Sequence, residues 1–148
     1  MTTDLGHWHY KEQFNPDDYM GFIYKITHIL DHRFYIGRKQ FVSNTTKPPL
    51  KSSTSKRKRK LPSDSGWKDY TSSSNELNEM ISMMGKSMFR FEILTLCTSK
   101  SELAYWEAHH IITSESMLGH LGLNKNIGKV PCRPTPAKPK KTTKVKSK

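Results

Sequence analysis

The chain has 148 residues, the size of one ordinary domain, with 25 Lys and Arg against 13 acids and a net charge of +12. Only 34% of it is hydrophobic, and no apolar run approaches the roughly 20 residues of a membrane-crossing helix. Met1 to Asp4 carry no basic and then apolar leader pattern, and Cys97 and Cys132 form no CxxC pair, so the expectation is a reduced, cytoplasmic protein rather than a secreted one.

Residues 1–20 mix polar and aromatic side chains, with a turn at Asn15-Pro16, and read as an N-terminal extension. Gly21 to Thr27 is β-branched and aromatic, and Phe34 to Gly37 is a second short strand. Asp31 and His32 between them suit a hairpin connection. Arg38 and Lys39 then bring two cations to the end of the second strand. Residues 47–60 hold seven bases and no acid, among them Lys56, Arg57, Lys58, Arg59 and Lys60, and mark a polar insertion over 47–62. After Gly66-Trp67-Lys68-Asp69-Tyr70 comes a serine run that includes Ser73 and Ser74.

Leu77, Met80, Ile81 and Met84 then recur at the spacing of an amphipathic helix, stopped by Gly85. Phe89, Phe91 and Ile93 alternate with Arg90 and Glu92, which predicts a third strand running to about Cys97. Ser99 with Glu102 three residues later is a capping box that opens a helix from about Lys100 to Ser114. The order β-β-α-β-α predicts an α+β domain over 21–128, a small, mostly antiparallel three-stranded sheet flanked by helices. Residues 129–148 hold eight bases and no acid and read as a disordered basic tail.

The two basic segments supply 15 of the 25 positive residues, while the other 114 residues carry 10 bases and 13 acids, a net charge of −3. The positive field therefore sits on arms that cannot build a core. Arms of one sign suit a polyanion, because neutralising phosphates releases condensed counterions. Lys138, Lys140 and Lys141 in the tail join Lys56 to Lys60 as candidate nucleic-acid contacts. A solvated tail, or a nuclear-localisation match at Lys56 to Lys60, is the blander account of the same charges.

Glu107 is the sharpest local anomaly. Leu103 and Ile111 flank it at four residues on either side and Trp106 is adjacent, so a carboxylate lies on the apolar side of a helix. Such a group needs a cation, metal or donor to offset its desolvation, unless its head reaches solvent from the helix edge. Tyr24 and Tyr35 alone could be half-buried core residues. Phenol, guanidinium and carboxylate together suit phosphodiester hydrolysis. Glu107 with His110 forms a single ExxH, without the second copy a di-iron bundle needs. Cys97, Cys132, His109, His110 and His120 match no zinc spacing.

Gly21-Phe22-Ile23-Tyr24 and Tyr35-Ile36-Gly37 resemble the GIY-YIG nuclease signature, with Phe22 as one extra residue in the first half. The downstream order is similar too: the Ser73, Ser74 and Leu77 helix, the strand Phe89 to Leu94, the helix ELAYWEAHHI with Glu107, and Asn126-Ile127. The resemblance covers 21 to about 128 and is closest to small stand-alone phage homing-type endonucleases, in which stretches like GRK and WKDYTSSSNEL recur.

The resemblance implies that Tyr24 and Tyr35 face one pocket, one of them acting as general base or orienting the attacking water. Arg38 would contact phosphate. Glu107 would hold a single Mg²⁺ or Mn²⁺ through oxygen and waters. Asn126, or alternatively Asn124, would close the site. Relatives place an Arg on the first helix after the second motif; here the basic insertion replaces that stretch, leaving Arg38, Lys39 or Lys68 to substitute. Ser72 stands where some homing relatives have a His. The implied function is a metal-dependent endonuclease acting on double-stranded DNA. The rival is a non-catalytic, basic nucleic-acid-binding protein with a degenerate nuclease fold.

Overall fold

A computed structural model describes residues 3–52, 54–119 and 121–127. The basic tail, with Lys138, Lys140 and Lys141, lies outside the described residues, as do Cys132 and His120. No helix among the described residues is long and apolar enough to cross a membrane.

The strands are β1 (Gly21–His28), β2 (Phe34–Gln40), β3 (Val42–Lys47), β4 (Arg59–Asp64) and β5 (Phe89–Cys97); the helices are α1 (Asn75–Met84) and α2 (Lys100–Thr113). The main sheet is antiparallel with order β2-β1-β5. This is the three-stranded α+β arrangement expected from the sequence, with β2 extended past Gly37 to Gln40.

Two faces of β1 sort the core by alternation. Phe22, Tyr24 and Ile26 join Trp8, Phe41, Trp67, Leu77, Met80 and Phe91 on one side. Ile23 and Ile36 meet Leu103, Ile111 and Cys97 on the other, under α2. Along β5 the register shifts opposite Ile23 and Tyr24, so that Ile93 and Thr95 are the paired residues and Leu94 is extra. That bulge re-phases the strand. It lets Phe89, Phe91 and Ile93 fill the first core while Thr95 turns to α2, where its Oγ1 lies 2.8 Å from His110 Nε2.

Two expectations need correction. Residues 1–20 are not a mere extension, because Trp8 and Phe14 are buried. Trp8 Nε1 donates to the Trp67 carbonyl at 2.6 Å, and His9 pairs through its backbone with Phe91 and Ile93 at the β5 edge. Aromatic side chains bury large apolar area even in a segment of polar average, and here that area caps the sheet. The basic insertion is also not a structureless arm: its flanks form a separate ribbon, β3 with β4. Residues 42–46 (VSNTT) are strand-prone and uncharged, and Phe41, buried at the ribbon's base, roots it in the core.

Candidate active site

The cleft that collects the chemistry lies along the outer edge of β2. It has a volume of about 500 Å³, and its lining includes Tyr35, Gly37, Arg38, Ser73, Ser74, Glu107 and Asn126. Cross-strand pairing places Tyr35 and Gly37 on one face of the sheet, with Ile26 and Tyr24, and Arg38 on the other, with Ile23. The phenol and the carboxylate thus come from opposite faces and meet around an edge strand. A site on an edge is open to a ligand as wide as a duplex, which a site on a covered face is not.

Glu107 is delivered by α2. Ser99 Oγ accepts the Glu102 N–H at 3.3 Å, and Glu102 Oε2 accepts the Thr98 N–H at 2.7 Å, fixing where the helix starts. Two turns later Glu107 emerges beside β2 with its side chain 15% exposed, and Arg38 Nε lies 3.3 Å from Glu107 Oε2. Burial pushes the Glu107 carboxyl above its usual range, and Arg38 pulls part of the way back. The Arg38 head is 43% exposed, so the guanidinium can swing to a phosphate.

The two tyrosines are not equivalent. Their rings lie 6.3 Å apart at 37°, but Tyr35 lines the cleft whereas Tyr24 is only 1% exposed, behind Gly37. Burial drives the pKa of the Tyr24 hydroxyl strongly up, with Ser72 and Tyr70 contributing smaller effects, and keeps it a neutral phenol. The expectation that both phenols face one pocket is therefore corrected. The small residue Gly37 admits the Tyr24 ring, and the ring then closes the space behind the strand.

Ser73 and Ser74 reach the cleft from the start of α1. Ser74 Oγ caps the helix by accepting the Leu77 N–H at 3.3 Å. Before it, Ser72 holds a φ of 112°, braced by its Oγ accepting the Ser74 N–H and by Asn78 Nδ2 donating to its carbonyl at 2.9 Å.

Of the late asparagines, Asn124 is buried and Asn126 exposed. Asn124 Oδ1 accepts the Ile36 N–H at 2.9 Å and the Ser116 hydroxyl, and its Nδ2 donates to the Ile36 carbonyl at 2.7 Å. With Leu121 and Leu123 bonded to Phe34, this segment covers the start of the β2 edge and stops at the cleft.

Of the cations considered as substitutes for the first-helix Arg, Arg38 alone lines the cleft. Lys39 lies over the Tyr70 ring at 4.1 Å, and Lys68 Nζ is 3.5 Å from Asp4 Oδ2. Lys56, Arg57, Lys58, Arg59 and Lys60 belong to the ribbon and its tip, away from the cleft lining. Sequence reasoning missed Lys125, Asn75 and Glu76, which also line the cleft. Lys125 Nζ lies 3.7 Å from Glu76 Oε2, a long-range pair without a motif to announce it.

Among the described residues no group of three His, Cys, Asp or Glu could cage a metal. The donor set instead fits an ion that keeps most of its waters: the largely shielded Glu107 carboxylate, whose ionised form burial disfavours, in an open polar cleft. Lys125 engages the other carboxylate there, Glu76.

A family model described as "Putative endonuclease segE, GIY-YIG domain" matches residues 8–127. No curated protein and no solved structure matches the chain at a significant level. The match spans most of the chain and includes Trp8 and the ribbon, so the chain belongs to the GIY-YIG family and carries an endonuclease domain.

Proposed function

We propose that this GIY-YIG protein hydrolyses phosphodiester bonds in double-stranded DNA, with one divalent ion, Mg²⁺ or Mn²⁺, held by Glu107. The observation that carries this reading is the shared cleft of Tyr35, Arg38 and Glu107 beside Ser73, Ser74 and Asn126. The ion, when bound, supplies Lewis-acid stabilisation of the phosphate and the leaving oxygen.

The chain's own groups do the rest. The Tyr35 phenol orients the attacking water toward phosphorus and relays its proton, its oxygen taking the water's proton as its own passes to solvent in the open cleft. As the new P–O bond forms, the leaving oxygen departs and takes a proton from solvent. Arg38 exchanges its contact with Glu107 for the equatorial phosphate oxygens, where charge accumulates; one such preorganised donor contributes about 3 kcal/mol to lowering the barrier. Ser73 and Ser74 offer hydroxyl and backbone donors to a neighbouring phosphate at the start of α1. Tyr24 acts as a positioning residue, holding Gly37 and hence Tyr35 and Arg38 in register. Lys56 to Lys60, and Lys138, Lys140 and Lys141 in the tail, add sequence-independent backbone attraction. The likeness to phage homing-type enzymes favours a homing or genome-interference role.

Supercoiled plasmid incubated with Mg²⁺ or Mn²⁺ tests the proposal. Wild type converts it to nicked or linear DNA and EDTA stops the reaction, while Glu107→Gln binds duplex but does not cut. Cleavage by Glu107→Gln at the wild-type rate overturns the assignment. Wild type that binds but never cuts leaves the rival, a degenerate nuclease that only binds.

A further inference from the structure

The β3–β4 ribbon is an unusual element to keep. All six β3 residues are exposed, and β4 alternates half-buried Arg59, Leu61 and Ser63 with exposed residues, so the hairpin fully buries none of its own side chains. A two-stranded hairpin alone is marginal in water. Near the tip, Lys47 and Arg59 are direct cross-strand partners, with Thr46 and Lys60 next to them. Like charges set opposite each other destabilise a strand pair. Lys51, Lys56, Arg57 and Lys58 in the connection are exposed as well, and residues 47–60 contain no acid. A polyanion beside these groups turns that repulsion into attraction.

The ribbon's position is equally specific. It leaves the sheet one residue after β2, the strand that carries Arg38. Its base is fastened by the Ser65 N–H to the Phe41 carbonyl at 3.2 Å and by Ser65 Oγ to the Gln40 carbonyl at 2.5 Å. Phe41 packs edge-on against Trp67 at 4.9 Å. The two ribbon faces also differ. On one, the Ser43, Thr45 and Ser63 hydroxyls bond to one another. On the other, Asn44, Thr46 and Lys60 are exposed, and among the described residues their side chains make no hydrogen bond.

We infer that the ribbon lies in the major groove of the duplex next to the cut phosphate, with Asn44 and Thr46 reading base edges and the tip cations gripping the backbone. A two-stranded ribbon fits the roughly 12 Å major groove, and amide and hydroxyl side chains suit its donor and acceptor pattern. Six residues at about 3.3 Å each span roughly 20 Å, about six base pairs. The sequence preference therefore falls within about six base pairs on one side of the cut. This deepens the nuclease reading and rests on it for the duplex partner.

The test is a selection from randomised duplexes by the full chain carrying Glu107→Gln, so that binding is read without cutting. The expected result is a preferred sequence over scrambled DNA. In the additional variant Asn44→Ala/Thr46→Ala, that preference falls at least tenfold, with the circular dichroism spectrum unchanged. Lys56→Ala/Arg57→Ala/Lys58→Ala should instead weaken binding to preferred and scrambled duplexes alike and flatten the salt dependence. Absence of any preference, or one that survives Asn44→Ala/Thr46→Ala, overturns the ribbon's reading role. Plasmid cutting by the unmutated chain is scored separately, so failure of the nuclease reading is visible on its own.

Discussion

Gly37 and Tyr24 are cross-strand partners, and the phenol lies across the glycine: a Cβ at Gly37 would collide with Tyr24 Oη and sit 2.5 Å from its Cζ. The residue that follows in β2 is Arg38, and the same Cβ would meet the Tyr35 ring at 3.0 Å. Packing of the buried tyrosine and placement of the cleft side chains are thus one constraint. Gly37→Ala should cost about 1–3 kcal/mol by overpacking. Plasmid nicking should fall in parallel at temperatures where the variant is still folded. An alanine variant with unchanged melting and nicking would contradict the contact.

The unequal exposure of the tyrosines separates their roles. Tyr35→Phe should lower the single-turnover cleavage rate by about 10²-fold or more with little change in melting temperature, as removal of a group that handles the water's proton does. Tyr24→Phe keeps the ring contacts with Tyr35 and Tyr70 and should cost no more than about 1 kcal/mol of stability. Its cleavage rate should fall less than that of Tyr35→Phe. Single-turnover kinetics with denaturant melts of both variants decide this, and the reverse order of rates would move the catalytic contact to Tyr24.

The sequence offers Asn126, or alternatively Asn124, as the asparagine that closes the site, with only Lys125 between them. Burial separates them. Asn124→Ala strands the Ile36 N–H and carbonyl and the Ser116 hydroxyl, and should cost about 2–4 kcal/mol. Asn126→Ala should leave the fold intact and impair cleavage. Urea melts beside nicking rates check both, and a stable Asn124→Ala would refute the clamp.

What the sequence made legible had short-range signals. Composition marked β1 and β2, alternation marked the first half of β5, a 3.6-residue period stopped by Gly85 marked α1, and a capping box marked the start of α2. Glu107 stood out as a charge on an apolar helix side, and the structure meets it with Arg38. The bulge at Leu94, the anchoring of Trp8 by Trp67 and the Asn124 clamp on Ile36 depend on partners up to 88 residues away. No local period encodes those. The ribbon escaped notice because charge, not alternation, dominates residues 47–60, while its strand-forming residues lie mostly outside that window.

Glu107 also links the site to stability. Its folded carboxyl titrates above the unfolded value of about 4.3, because burial disfavours the anion more than Arg38 restores it. As pH rises through that interval the native state holds the proton longer than the unfolded chain, so stability falls, and the full deficit is present at neutral pH. Glu107→Gln removes the titration. It should therefore melt above wild type at pH 7, with the difference shrinking toward zero below about pH 4. If Glu107 holds the ion as proposed, added Mg²⁺ should raise the wild-type melting temperature at pH 7 while leaving Glu107→Gln unmoved. Calorimetric melts across pH, with and without the ion, measure both effects. A Glu107→Gln protein that melts lower than wild type at pH 7 would show that the Arg38 contact outweighs burial, and that the cleft holds its carboxylate for structure.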